Sequence, residues 1–139
     1  MYELKTQGHF DSAHFLSAYH GSCENLHGHR WRVIASICSD TLQSTGDMKD
    51  MVVDFSEFKA RVRELCAALD HRFIVEEGTL AETTLRCLRD EGFDVLIVPW
   101  RTTAENFARY LFEQLRAAGY EPSSVEVYET PDNCAIYHA

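Results

Sequence analysis

Two stretches of this chain carry an apolar residue at every third or fourth position and are polar elsewhere. Asp54 opens the first, with Glu57 three places on in capping-box spacing, and Phe55, Phe58, Val62, Leu65 and Leu69 follow as one stripe. Thr102 opens the second against Glu105, and Ala104, Phe107, Leu111, Leu115 and Ala118 form its stripe before Gly119 and Pro122 end it. A helix with a single apolar stripe must lay it on another element, and two such helices are most simply served by one face of a sheet.

Strands to build that sheet are legible at both ends. Tyr2 to Phe15 has strand-like content, and Arg30 to Ser39 alternates through Trp31, Val33, Ala35 and Ile37. Ser124 to Glu129 and Cys134 to His138 are short strands joined by the turn-like Thr130-Pro131-Asp132-Asn133. The order strand, strand, helix, helix, strand, strand predicts an α+β layer with both helices on one face of an antiparallel sheet. Between the helices, Thr79 to Asp90 reads as a short third helix ending at Gly92, and Phe93 to Val98 as an extra strand.

At 139 residues the chain is read as one domain, long enough to bury a core without disulfides or a structural metal. Its five cysteines are odd in number and lack C-x-x-C spacing, which argues against a disulfide framework or a zinc ribbon. Cys38, Cys66, Cys87 and Cys134 are expected to be small buried hydrophobes, whereas Cys23 sits in a polar loop with Tyr19, His20, Gly21 and Ser22. No run reaches the roughly 18 apolar residues of a membrane span, and Met1-Tyr2-Glu3-Leu4-Lys5 reads as structure rather than a leader, so a cytoplasmic location is expected. A net charge of −9 disfavours nucleic acid or an anionic membrane as partner, but leaves room for a small anion held by a local cationic cluster.

The segment CENLHGHRW concentrates the chemistry. Residues two apart on a strand share a face, so His27 and His29 can reach one point, with Gly28 between them permitting close backbone approach. His14 joins them if the first two strands pair as a hairpin. Three neutral imidazoles suit Zn²⁺ and leave a position open for water or substrate. Cys23 then has two readings: a fourth ligand closing a structural Cys-His₃ site, or an uncoordinated thiol whose deprotonation the divalent charge favours and which acts as a base. Asp70-His71 is either a carboxylate-held imidazole that returns a proton or a helix cap. Glu129 is either a surface acid or a carboxylate accepting two N–H bonds from a guanidine-like ring edge.

In register along nearly the whole chain, HFDSAHFL, CENLHGH, MVVDFSEFK, LDH, TAEN and VYET resemble the 6-pyruvoyltetrahydropterin synthase/6-carboxytetrahydropterin synthase family. The resemblance implies the T-fold (tunnelling fold): a four-stranded antiparallel sheet with two main helices on one face, its copies joined edge to edge into barrels as trimer-based homo-oligomers. It implies His14, His27 and His29 as zinc ligands, Cys23 as the catalytic thiol and Asp70 and His71 as its partner dyad. It further implies Glu129 as the acid anchoring a pterin, with Thr102 and Thr103 lining the pocket. The implied substrate is 7,8-dihydroneopterin triphosphate, with zinc as Lewis acid and no nicotinamide or flavin. Two outcomes follow: loss of triphosphate giving 6-pyruvoyltetrahydropterin, or side-chain cleavage giving 6-carboxytetrahydropterin for queuosine and 7-deazaguanines. The three residues between Cys23 and His27 favour the carboxy-forming branch. A non-catalytic metal- or pterin-binding relative would need neither the thiol nor the dyad.

Two features depart from the family pattern. Arg72-Phe73-Ile74-Val75 follows the dyad, and a segment at about 76–100 replaces a shorter connection. Arg30 and Arg32 alternate away from His27 and His29, which leaves Lys5, Arg72 and Arg101 as candidates for the triphosphate.

Overall fold

The computed structural model describes residues 1–139. Strand β1 (Tyr2–His14) and strand β2 (His27–Ser39) pair antiparallel along their whole length, from Tyr2 opposite Ser39 to His14 opposite His27. β2 thus begins three residues earlier than its alternation alone indicated, which places His27 and His29 on regular strand. Helix α1 (Phe55–Ala67) follows, then strand β3 (Arg72–Glu76), helix α2 (Glu82–Asp90), strand β4 (Val95–Val98) and helix α3 (Ala104–Ala117). Strands β5 (Pro122–Thr130) and β6 (Asn133–His138) close the chain, β5 antiparallel to β2 and β6 antiparallel to β5.

The four-stranded antiparallel core is present, but it is part of a six-stranded mixed sheet in the order β4-β3-β1-β2-β5-β6. The segment between the main helices is a βαβ unit: β3 runs parallel to β1, and β4 parallel to β3 from Phe73–Val95 to Glu76–Val98. β3 gave no strand signal because it is short and buries Ile74 and Val75 in succession, without the alternation of a half-buried strand. It meets β1 only at Ser12 and Ala13, so no strand pairs with Tyr2–Asp11 on that side, and β6 is likewise unpaired on its outer side.

The helices lie on one face, as their stripes require. Phe58 and Val62 from α1 and Phe107, Leu111, Phe112 and Leu115 from α3 meet Phe10, Trp31, Val33, Ala35, Val125 and Val127 in one core cluster. Phe10 stacks on Trp31 at 5.8 Å, and Trp31 meets Phe107 at 4.7 Å between ring centroids. Asp54 caps α1 as expected, accepting from the Ser56 and Glu57 N–H groups. Phe55, however, stays 63% exposed, and Cys66 rather than Leu65 occupies the inner stripe. Gly8 makes that possible, because a Cβ there would stand 2.9 Å from Cys66 Sγ. The cap of α3 is Thr103, whose Oγ1 accepts from Asn106 N–H, and not Thr102, which is fully buried.

The cysteines divide differently from expectation. All five are free, but only Cys66 is buried, while Cys87 and Cys134 are exposed because they fall on the outward sides of α2 and β6. No helix is long and apolar enough to cross a membrane.

Candidate metal centre

Strand register decides where the histidines go. His14 pairs with His27, and Ser12 with His29, so these residues share the face that carries Phe10 and Trp31 into the core. The three imidazoles gather at the end of that face, with ring centroids 4.6 Å (His14–His27), 5.1 Å (His14–His29) and 4.8 Å (His27–His29) apart. Trp31 floors the cluster, edge-on to His14 at 5.0 Å.

Backbone carbonyls fix the rings. His14 Nδ1–H donates to the Thr102 carbonyl at 2.8 Å and His27 Nδ1–H to the Asn25 carbonyl at 2.6 Å, which leaves each Nε2 with its lone pair outward. The Nε2 atoms of His14, His27 and His29 are all buried without a hydrogen-bond partner. Glu129, on β5, brings Oε1 to 3.1 Å from His29 Nε2 as an ion-pair neighbour. A ring nitrogen from each histidine and a Glu129 oxygen lie within 4.8 Å of one another.

Burial, followed by repulsion from the neighbouring imidazoles, overrides the Thr102 hydrogen bond and lowers the pKa of His14 to about 4. His29 is lowered mainly by burial, with Glu129 opposing. Convergent imidazoles whose buried Nε2 atoms find no hydrogen-bond partner are a costly arrangement for a protein alone, and a divalent cation satisfies all three. The donor set fits zinc.

The surroundings hold this cluster in place. Thr102 Oγ1 donates to the Phe15 carbonyl at 3.2 Å while its own carbonyl holds His14, so in this chain Thr102 positions a ring. Sequence reasoning missed that role, since nothing local links a residue before α3 to the end of β1. Cys23 lies in a short 3₁₀ turn (Ser22–Glu24), its carbonyl accepting from Leu16 N–H at 2.8 Å, and its thiol stays outside the ligand group. Arg101 braces the same loop through the Ser17 carbonyl at 2.8 Å.

Residues 3–139 match the family model described as 6-pyruvoyl tetrahydropterin synthase. The chain belongs to the 6-pyruvoyl tetrahydropterin synthase family. Among curated relatives, the chain is 36% identical to a 6-carboxy-5,6,7,8-tetrahydropterin synthase of Haemophilus influenzae over 99% of both chains. It is 33% identical to a protein of the same name from Synechocystis, over 92% of this chain and 86% of the other. Among solved structures, an uncharacterized protein of Wolinella succinogenes superposes with a TM-score of 0.81 at 26% identity, covering 99% of this chain and 97% of that one. The 6-pyruvoyl tetrahydropterin synthase of Plasmodium vivax gives 0.73 at 25%, with the same coverage. The T-fold expectation therefore holds, with β3, α2 and β4 added to its sheet, and this addition falls inside the region shared with the Haemophilus protein.

The Asp70–His71 pair is also built, but elsewhere. Asp70 Oδ2 accepts from His71 Nδ1–H at 2.7 Å, and Oδ1 accepts from Asp11 N–H at 2.7 Å. These bonds hold the Asp70 carboxyl below the usual carboxylate range, the Asp11 bond contributing most, and Asp70 raises the pKa of His71. His71 is not a helix cap, since α1 ends at Ala67 and the ring faces Asp70. Its backbone sits at φ 54°, a left-handed conformation that costs a non-glycine residue about 1–2 kcal/mol and that no sequence pattern announced. His71 lines a hollow of about 470 Å³ with Asp11, Ala13, Gly28, Leu26 and Phe93. Asp11, Ala13 and Gly28 alternate to the sheet face opposite His14, His27 and His29. The fold thus unites three histidines with Glu129 and sets Asp70–His71 beside Asp11 at the edge of β1, outside that group.

Proposed function

We propose that this protein is a 6-carboxy-5,6,7,8-tetrahydropterin synthase, a zinc-dependent lyase that converts 7,8-dihydroneopterin triphosphate and water to 6-carboxytetrahydropterin, acetaldehyde and triphosphate. The observation that carries the reading is the set of three buried imidazole nitrogens without partners, converging beside a loop that presents an uncoordinated thiol. The names of the Haemophilus and Synechocystis relatives favour the carboxy-forming branch over triphosphate elimination.

His14, His27 and His29 would hold the zinc, which supplies Lewis acidity toward the substrate's side-chain oxygens. Glu129, grouped with the histidines, accepts N–H bonds from the pterin's guanidine-like edge, and Thr103, the cap of α3, is assigned to the pterin pocket by the family resemblance. Cys23 takes the proton from the side-chain carbon beside the ring. His71, kept in one tautomer by Asp70, returns a proton.

Because Asp70 and His71 lie at the open edge of β1, outside the ligand group of their own chain, the dyad that completes a site comes from an adjacent copy. The unpaired stretch Tyr2–Asp11 of β1 and the unpaired side of β6 support edge-to-edge assembly into a trimer-based ring, since β6 carries no Lys, Glu or Pro to discourage pairing.

Incubation of the zinc-loaded protein with 7,8-dihydroneopterin triphosphate should release acetaldehyde and the carboxylated pterin, as read by mass spectrometry. A pyruvoyl product would move the assignment to the other branch, and no turnover by metal-replete oligomer would make the protein a binding relative. A pH profile reports on the dyad. Asp70, with Asp11, raises the pKa of His71, and Arg72 and Asp94 also border its hollow. The protonated, acid form of His71 is therefore retained to higher pH than a free imidazole's and is lost as pH rises through that raised pKa. Asp70→Asn should move the alkaline limb of kcat/KM to lower pH. An unmoved limb would remove His71 from the role of acid.

A further inference from the structure

Of the four groups gathered at the metal centre, Glu129 is the one whose place the protein itself does not explain. Backbone carbonyls fix the rings of His14 and His27 at Nδ1, but the Glu129 carboxylate has a single close polar neighbour, His29 Nε2 at 3.1 Å. No hydrogen bond joins the two, because that Nε2 is one of the three buried nitrogens left without a partner. The spacing is instead that of two ligands on one ion: donor atoms about 2 Å from a tetrahedral zinc lie about 3.3 Å apart. Glu129 also supplies the only carboxylate of the group, so it alone can offset the divalent charge that three imidazole ligands leave in full.

The backbone leaves this side chain room to move. β5 and β6 pair Tyr128 with Cys134 and Thr130 with Asn133, so Glu129 is the unmatched residue of a β-bulge, a distortion that re-aims side chains beside functional sites. Its side chain is 27% exposed, against 16% for His29. The substrate assigned above requires such movement. A pterin carries its guanidine-like edge and its side chain at opposite ends of a bicyclic ring, so while the side-chain oxygens lie on the metal the edge lies well away from it. One carboxylate cannot rest against His29 and accept from that edge at the same time.

We propose that Glu129 is the fourth ligand of the centre in the substrate-free protein and leaves it when a pterin binds. The inference rests on the reaction assigned above. The ring edge takes the carboxylate, and the position it vacates is the one the side-chain oxygens enter: one oxygen ligand is exchanged for another, and no electron is transferred. In the resting protein the carboxylate keeps that position from Cys23, whose thiolate is a strong zinc ligand, so the sulfur stays free until the substrate is seated. Lewis acidity is thereby exposed only to a molecule that presents both the edge and the oxygens.

The test uses oligomer loaded with cobalt, whose visible bands report its ligands, and with zinc. The probe is unsubstituted pterin, which offers the ring edge and no side-chain oxygen, with its binding verified by calorimetry. Glu129→Gln should change the cobalt bands of the substrate-free protein and let a competing chelator strip zinc at about ten- to a hundredfold lower concentration. Glu126→Gln, which removes the same charge from the same strand outside the group, should do neither. In the parent, the bound probe should shift the cobalt bands and ease zinc removal about five- to a hundredfold, because two partners competing for one carboxylate weaken each other equally. Bands that are the same in parent and Glu129→Gln overturn the fourth ligand, and if that parent turns over dihydroneopterin triphosphate the assigned reaction survives alone. Bands and zinc affinity unmoved by bound probe overturn the displacement. If the parent neither binds the probe nor turns substrate over while Glu129→Gln still alters the bands, the reaction fails and Glu129 stands as a permanent ligand, which also overturns the displacement.

Discussion

Cys23→Ala and His71→Ala, each purified alone with full zinc, are expected to be about 10² to 10⁴ times slower than the parent, and oligomers co-assembled from the two to regain about a quarter of parental turnover. The individual losses are those of removing one proton-transfer group. The recovery follows from the sheet. His71 lies beside Asp11 at the edge of β1, outside its own chain's ligand group, so in the proposed assembly a site is completed across an interface. With equal amounts of both chains in random order, half of the thiol donors and half of the imidazole donors are intact, and about one site in four receives both. Differently tagged chains purified through both tags would isolate the mixed species. Parental metal content in Cys23→Ala separates a lost base from a lost ligand. Complete absence of recovery in verified mixed oligomers would mean that the dyad does not serve a neighbour.

Substitution of His14 by alanine should abolish zinc retention and also destabilise the metal-free protein, whereas His27→Ala should abolish retention at little structural cost. His14 is 1% exposed, rests against Trp31 and satisfies the buried Thr102 carbonyl. Its removal leaves a void and an unpaired acceptor, worth about 2–4 kcal/mol. In a chain of this size that lowers the melting temperature by roughly 5–15 °C. His27 is only partly buried, and its carbonyl partner, on exposed Asn25, can turn to water. Thermal unfolding in chelator isolates the structural component, because metal no longer adds its binding energy to the folded state. Equal melting of the two chelated variants would contradict this ranking.

The parts of the molecule that were legible in the sequence were those written in local periodicity. The stripes of α1 and α3, the alternation of β2 and the H-x-H pair all express a repeat that one strand or one helix enforces, so the antiparallel core and the gathering of the imidazoles at one point could be read in advance. β3 could not, because a five-residue strand that buries Ile74 and Val75 in succession carries no alternation. Thr102 was mistaken for the cap of α3 because Thr102 and Thr103 are adjacent and chemically equal. Only the tertiary bond to His14 tells them apart. Asp70 and His71 were found as a pair, yet no one-dimensional signal says which side of a sheet a residue beyond a helix end will occupy.

Strand β3 meets β1 at just two rungs, and that brevity has a geometric consequence for a ring of copies. A strand arriving from outside would find open backbone along Tyr2–Phe10 and then meet Asp11, whose N–H and C=O are taken by Asp70 and His71, and Arg72 beyond it. A slip of one residue would turn each of its side chains to the wrong side. In the proposed ring the added unit would act as an end stop, limiting by simple obstruction how far the incoming strand could travel and so setting the spacing between successive half-sites.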